Sequence, residues 1–283
     1  MMYKTSQRLT VSRLLRHLLA AAISLLFLLP VYWMLVSSLR EPGLPPPRSI
    51  EWWPPDAHWV NYPALFEQLP MARYLRNSLL VVAAATPLTL LTASLAGFGL
   101  SQLPDRLRRR TINWSVAFLL IPASAVWLFR FQLLRWFGLL DSLWALIIPA
   151  FAASSPLFVL LYFWSFRRVP GELIEAARLD GAEAGQVWWR VGLPLVRPTT
   201  VAVAVLTFVL YWSDFISPVL YIYQARWYTL PIGLQLIKQL DATNWPLLLA
   251  AAAVMTIPII VVFFLLQRTF LSDLSLGELF DRG

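Results

Sequence analysis

Few residues in this 283-residue chain have the type and spacing to do chemistry. There is no cysteine, which excludes disulfides and thiolate reactions. The two lysines, Lys4 and Lys238, follow Tyr3 and Ile237, so neither completes the Gly-Lys-Ser/Thr end of a phosphate-cradling loop. His17 and His58 flank the uncharged run 18–39 and fall on opposite sides of a membrane if that run crosses one, so they form no common metal site. No Gly-x-Ser-x-Gly elbow or His-Glu-x-x-His pair occurs, and no cofactor or metal is expected. Two features remain. One is the polar stretch 166–198, between two apolar runs, with Glu172, Glu175, Asp180, Glu183 and five arginines. The other is Asp214, the lone charge in the apolar run Thr199–Tyr223. An ionisable group inside a membrane span is costly and faces the bundle interior or a water-filled path. A helix rising from Arg197 carries Asp214 roughly 25 Å, into the outer third of a span. With Tyr211 and Trp212 it marks a candidate solute path. The alternatives are an interfacial carboxylate reaching the outer water, or a partner for Arg130 or Arg135.

The elements that position these residues follow from composition. The chain is 59% hydrophobic and 13% charged, with a mean hydropathy of +0.64, as expected of one membrane domain. A span needs about 20 apolar residues. The run 18–39 qualifies as the first; it is too long for a signal peptide, and Ala20-Ala21-Ala22 lies at the wrong end for cleavage. Five more spans are expected: Asn77–Leu100, Thr111–Phe129, Ser142–Phe166, Thr199–Tyr223 and Thr243–Gln267. Prolines 87, 122, 156 and 258 within them are tolerable, because neighbours can satisfy the freed carbonyls. With the N-terminus inside, cytoplasmic segments hold four basic residues at 1–17, four at 101–110, five at 166–198 and two in the tail, fifteen of the 23. That excess places both termini and the 166–198 stretch in the cytoplasm. It also accounts for the net charge of +8 without nucleic acid. The external loop 40–76 holds Pro45-Pro46-Pro47 and Trp52-Trp53-Pro54-Pro55, stiff extended backbone with interfacial rings, either structural or in contact with a partner.

Within 166–198 the local signals specify two short helices with a joint. Pro170 suits a first helical position, and Glu172 and Glu175 favour the positive end of the dipole. Gly181 supplies a left-handed cap. Asp180 and Glu183 are placed to cap the second helix, whose apolar stripe is Val187, Trp188 and Val191 before Pro194.

Glu175-Ala176-Ala177, then Gly181, Val191, Leu193 and Pro194 resemble the cytoplasmic signature of ABC importer permeases, with valine where isoleucine is usual. Asn61-Tyr62, Leu65-Phe66, Tyr74 and Asn77-Ser78-Leu79 resemble the approach to the second helix in carbohydrate-uptake, maltose-permease-like subunits. Phe137-Gly138-Leu139 with Asp141-Ser142 is a second likeness, and Tyr211-Trp212-Ser213-Asp214-Phe215 a third. The likeness runs from about residue 60 to 268. The tail, ending Leu279-Phe280-Asp281-Arg282-Gly283, departs from the family.

The resemblance implies an all-α polytopic membrane protein with six transmembrane helices and two short cytoplasmic coupling helices between helices 4 and 5. The expected organisation is a cytoplasmic N-terminus 1–17, one permease domain 18–267 and a cytoplasmic tail 268–283, in a bacterial-type inner membrane. It implies the permease half of an ATP-driven importer of sugars or sugar-like solutes; polyols and glycerol phosphates are alternatives. The implied partners are a second permease, an ATPase dimer that docks on Glu175, Ala176, Ala177, Asp180, Gly181, Val191, Leu193 and Pro194, and an external solute-binding protein. A membrane-embedded enzyme would need acids or histidines clustered at one membrane face, and a secondary transporter internal repeats; neither is present in the sequence.

Overall fold

The computed structural model of the protein describes residues 3–49, 51–152 and 155–280, and no strand occurs among them. Helix α1 (Tyr3–Ser38) is followed by a loop, α2 (Asn61–Gln68) and α3 (Met71–Gln102). Next come α4 (Asp105–Leu119), α5 (Ala123–Trp136), α6 (Trp144–Ile147) with a 3-10 turn over Ile148–Ala152, and α7 (Pro156–Phe166). The polar stretch forms α8 (Gly171–Leu179), α9 (Ala184–Gln186), a π-helical turn over Val187–Gly192, and α10 (Leu193–Leu195). Then follow α11 (Arg197–Trp212), α12 (Ile216–Tyr221), a 3-10 turn over Ala225–Trp227, α13 (Leu230–Leu240) and α14 (Trp245–Phe280). The tail residues Asp281, Arg282 and Gly283 lie outside the described residues.

Among the described residues, Leu15–Ser38, Met71–Gln102, Trp144–Phe166 and Trp245–Leu266 are long and apolar enough to cross a membrane. Two bent pairs raise the number to six if each is one span: Asp105–Leu119 with Ser124–Trp136, bent by 98°, and Ala184–Leu195 with Arg197–Trp212, bent by 84°. Two of the expected spans are thereby found to be bent or broken. The Thr111–Phe129 run breaks after Leu119, because Pro122 has no N–H to donate and sits at φ −64°, ψ 137°, off the helical path. The Thr199–Tyr223 run is interrupted over 213–215. The Ser142–Phe166 run corresponds to the candidate span Trp144–Phe166, with Pro156 in the first turn of α7, where its missing donor is tolerated. At the N-terminus, α1 extends into the basic segment rather than beginning at residue 18.

The chain divides into two compact units. One comprises residues 1–70 and 234–256. Its loop after α1 is fastened by polar contacts: Asn61 Nδ2 donates to the Ser38 and Arg40 carbonyls (2.9 and 2.8 Å), and Arg40 pairs with Glu51 at 2.9 Å. Gly43 N–H donates to Asn244 Oδ1 at 3.0 Å, and Trp245 N–H to the Leu44 carbonyl at 3.0 Å. Trp52, Trp53 and Trp59 remain exposed.

The other unit comprises 71–233 and 257–283 and is built on α3. Helices α3 and α7 touch backbone to backbone at Gly97, where a Cβ would lie 2.6 Å from Tyr162 Cβ and 2.9 Å from the Phe163 nitrogen. Only glycine permits that approach, a common device where membrane helices pack by dispersion. Phe98 meets Phe166 edge-on at 5.3 Å, and Ile174, Val187 and Trp188 of the polar stretch join the same buried cluster. The polar stretch is thus anchored to the helix bundle.

Candidate functional site

The 166–198 stretch is a two-part handle. Helix α8 ends in a Schellman motif: Ala182 N–H donates to the Ala177 carbonyl at 3.0 Å and Gly181 N–H to that of Arg178 at 3.0 Å. Gly181 has φ +84° with open space around its missing Cβ, so it is required for backbone conformation and not for room. The second part begins differently from expectation. Glu183 is the N-cap and Gln186 its capping-box partner, with Gln186 Oε1 accepting the Glu183 N–H at 3.1 Å. Asp180 instead ends α8 as its C-cap. The spacing that decides is three residues from cap to partner, and Gly181 takes Asp180 out of the second helix.

Burial divides the signature into two faces. Ile174, Val187 and Trp188 are buried against α3 and α7, and Ala177, Val191 and Leu193 are half-buried. Glu175, Ala176, Asp180 and Pro194 are exposed. Leu179 is 89% exposed, and Leu173 and Trp189 are exposed as well. Arg178 ties the handle to the end of α3 by donating from Nη2 to Gln102 Oε1 at 2.7 Å. Leu179 and Trp189 were missed as site residues in the sequence, because apolar residues at helical spacing are ordinarily core; only the packing shows that they face outward.

The second candidate site is a cavity of about 420 Å³ lined by Trp127, Arg130, Pro149, Tyr211, Asp214 and Ser217, among others. Asp214 sits in the break between α11 and α12, and its Oδ1 accepts the Ser217 N–H at 3.0 Å. The carboxylate that interrupts the apolar run therefore also starts the next helix. Tyr211 lines the cavity with it. Trp212 does not: it is fully buried and stacks on Phe208 at 5.6 Å. Arg130 lies in α5, not in a loop; it shares the cavity with Asp214, and no ion pair joins Asp214 to Arg130 or Arg135 among the described residues.

A third polar centre, unassigned in the sequence, is Asp141, at φ +57°. Its Oδ1 accepts the N–H groups of Tyr223 and Gln224 (2.9 and 2.8 Å), its Oδ2 accepts the Gln224 side-chain amide, and its own N–H donates to the Tyr221 carbonyl at 2.8 Å. Burial acts to raise its pKa, but these hydrogen bonds and the Arg226 charge outweigh it and hold the carboxyl below its ordinary value. Asn77 and Ser78 are likewise structural: Asn77 Nδ2 donates to the Arg226 and Tyr228 carbonyls, both at 2.9 Å, and Ser78 Oγ accepts the Leu230 N–H at 2.8 Å.

The arrangement has known relatives. The chain is 29% identical to the sulfoquinovosyl glycerol transport system permease protein of Agrobacterium fabrum, over 94% of this chain and 93% of that one. It is 30% identical to the diacetylchitobiose uptake system permease protein of Streptomyces coelicolor, over 92% and 87%. Its fold is similar to a chain of a bacterial ABC transporter that imports the acidic polysaccharide alginate, with a TM-score of 0.74, 19% identity, and 95% and 99% of the two chains covered. A family model described as the binding-protein-dependent transport system inner membrane component matches residues 85–275, which contain the handle, the cavity and Asp141. With the cluster of buried and exposed faces on 166–198, that match establishes that the chain belongs to the family of binding-protein-dependent transport system inner membrane components.

Proposed function

We propose that this protein forms half of the solute pathway of an ATP-driven importer for sugars or sugar-like solutes, and that residues 166–198 couple it to an ATPase on another chain. The sugar assignment is supported by relatives whose names specify sulfoquinovosyl glycerol, melibiose, raffinose and stachyose, and diacetylchitobiose. A second permease completes the pathway, and an external binding protein delivers the solute. The positive-inside excess supports cytoplasmic termini and an external 40–76 loop.

The observation that carries the coupling assignment is the two-faced handle: Ile174, Val187 and Trp188 are locked into the bundle core while Glu175, Leu179 and Trp189 project outward. A segment so anchored moves as a rigid body with the helices behind it. ATP binding that closes an ATPase dimer then biases the bundle between inward- and outward-facing states, by its differential affinity for the two. The solute passes beside Asp214 and Tyr211, whose carboxylate and ring can take a hydroxyl and a sugar face.

Glu175→Lys and Leu179→Asp test the reading. Both residues are exposed, so the chain should still reach the membrane. Each substitution should lower co-purification of the ATPase and uptake by at least tenfold, the effect of losing about 1.4 kcal/mol or more from one docking contact. Undiminished co-purification with both variants would place docking elsewhere.

A further inference from the structure

Helix α8 is held to the bundle in two ways that differ in kind. Ile174 is buried in the apolar cluster with Phe98 and Phe166. Such contacts are non-directional, so they resist separation more than rotation. One helical turn later, about 6 Å along the axis, a directional contact begins. Arg178 Nη2 donates to Gln102 Oε1 at 2.7 Å, Gln102 Nε2 to Ser101 Oγ at 3.0 Å, and Ser101 Oγ to the Phe98 carbonyl at 2.7 Å. The donor inventory fixes each link. A guanidinium only donates, so the Gln102 amide turns its oxygen to Arg178; its NH2 group then meets the Ser101 hydroxyl, whose own proton is committed to Phe98. The relay ends on the turn of α3 that carries Gly97 and its close approach to α7. Apolar packing does not fill the interface it crosses. A cleft of about 280 Å³ opens there, lined by Ser101, Gln102, Phe166, Ile174, Glu175 and Arg178, among others. The cleft leaves α8 room to swing about Ile174, and the bond from Arg178 to Gln102 opposes that swing.

We propose that Gln102 is a positioning residue for coupling. By holding Arg178 it fixes α8 against the end of α3, so that a displacement of the handle reaches the helices of the solute path instead of being lost as a swing into the cleft. Helix α3 packs on α7 and α11, and α11 leads to Asp214. Both partners of the bond are exposed in the single chain, where water competes for it. An ATPase seated on Glu175 and Leu179 shields the bond, and in the lower local dielectric it is stronger, so the handle stiffens when it is engaged. The inference rests on the coupling role proposed above for 166–198. Gln102 lies outside that stretch, so it can be altered without touching the docking residues.

A test that needs no solute uses Ser155→Cys, in the wall of the Asp214 cavity, as a reporter in this cysteine-free chain, assembled with cysteine-free partners. Its labelling rate with a water-soluble maleimide is compared in the nucleotide-free transporter and with ADP and orthovanadate. With native Gln102 the two rates should differ by roughly fivefold or more, the lower end of ordinary coupling between sites. Gln102→Met, similar in size but without the acceptor, should bring the difference below about twofold while ATPase co-purification is unchanged. Gln102→Glu keeps an oxygen for Arg178 and should retain the native response. A native response in Gln102→Met overturns the proposal and leaves the coupling reading standing. An equal loss in Gln102→Met and Gln102→Glu also overturns it, as does failed co-purification in Gln102→Met, which would place the residue in docking or folding. No response even with native Gln102 overturns the coupling reading itself, and the proposal with it.

Discussion

At the residue scale, Asp141 shows how one carboxylate fastens two segments far apart in sequence. It takes two backbone N–H groups and one side-chain amide from Tyr223 and Gln224. Asp141→Ala should cost roughly 1.5–3 kcal/mol, the range for hydrogen bonds to a charged group. The pH dependence follows from the lowered pKa. The stabilisation is fully present above the unfolded carboxyl value and is lost as pH falls through the lower folded value. Thermal unfolding in detergent should therefore show a wild-type advantage over Asp141→Ala at neutral pH that vanishes in strong acid. An advantage that persists unchanged into acid would mean that the carboxylate charge is not what holds the segments. Sequence resemblance brought this residue into view without a role, because its partners lie more than eighty positions away.

At the scale of elements, two joints matter. Gly181 separates α8 from the second part of the handle at φ +84°. A β-branched residue there pays about 1–2 kcal/mol for the left-handed conformation, whereas asparagine tolerates it. Gly181→Val should abolish uptake while the protein remains in the membrane, and Gly181→Asn should retain most of it. Equal uptake by the two variants would show that the turn is not what aligns the two parts. The second joint lies between α11 and α12, where Asp214 holds the Ser217 N–H. Asparagine keeps a side-chain oxygen for that bond but removes the charge from the cavity. Asp214→Asn should therefore lower uptake severalfold while ATPase co-purification is unchanged. Normal uptake would leave Asp214 only a helix cap, and failed co-purification would point to assembly.

At the scale of the whole molecule, the orientation rests on fifteen basic residues in segments assigned to the inside and eight outside. The absence of native cysteine makes single-cysteine labelling clean. Ser49→Cys should react with an impermeant reagent applied from outside, and Ser275→Cys only after the membrane is opened. The reverse pattern would invert the topology, moving the handle away from any cytoplasmic ATPase.

What the sequence determined by itself is what depends on composition and short range. Long apolar runs specify membrane helices, because an unpaired peptide group is too costly in lipid for any other choice. Seven signature positions within twenty residues specified the handle, and Gly181 its joint, because a left-handed cap is a local property. Tertiary structure alone decided which face of each element is buried. Leu179 and Trp188 are both apolar residues of one short stretch, yet one projects outward and the other packs on α3. Trp212 and Tyr211 are adjacent, yet only Tyr211 reaches the cavity. Proline and a half-buried carboxylate broke runs that hydropathy reads as continuous, because averaging over a window conceals a single missing donor or a competing cap. A cavity of about 620 Å³ is lined by residues from 87 to 200, and no local pattern brings Leu91 of α3 to the same cavity as Trp188 and Arg197.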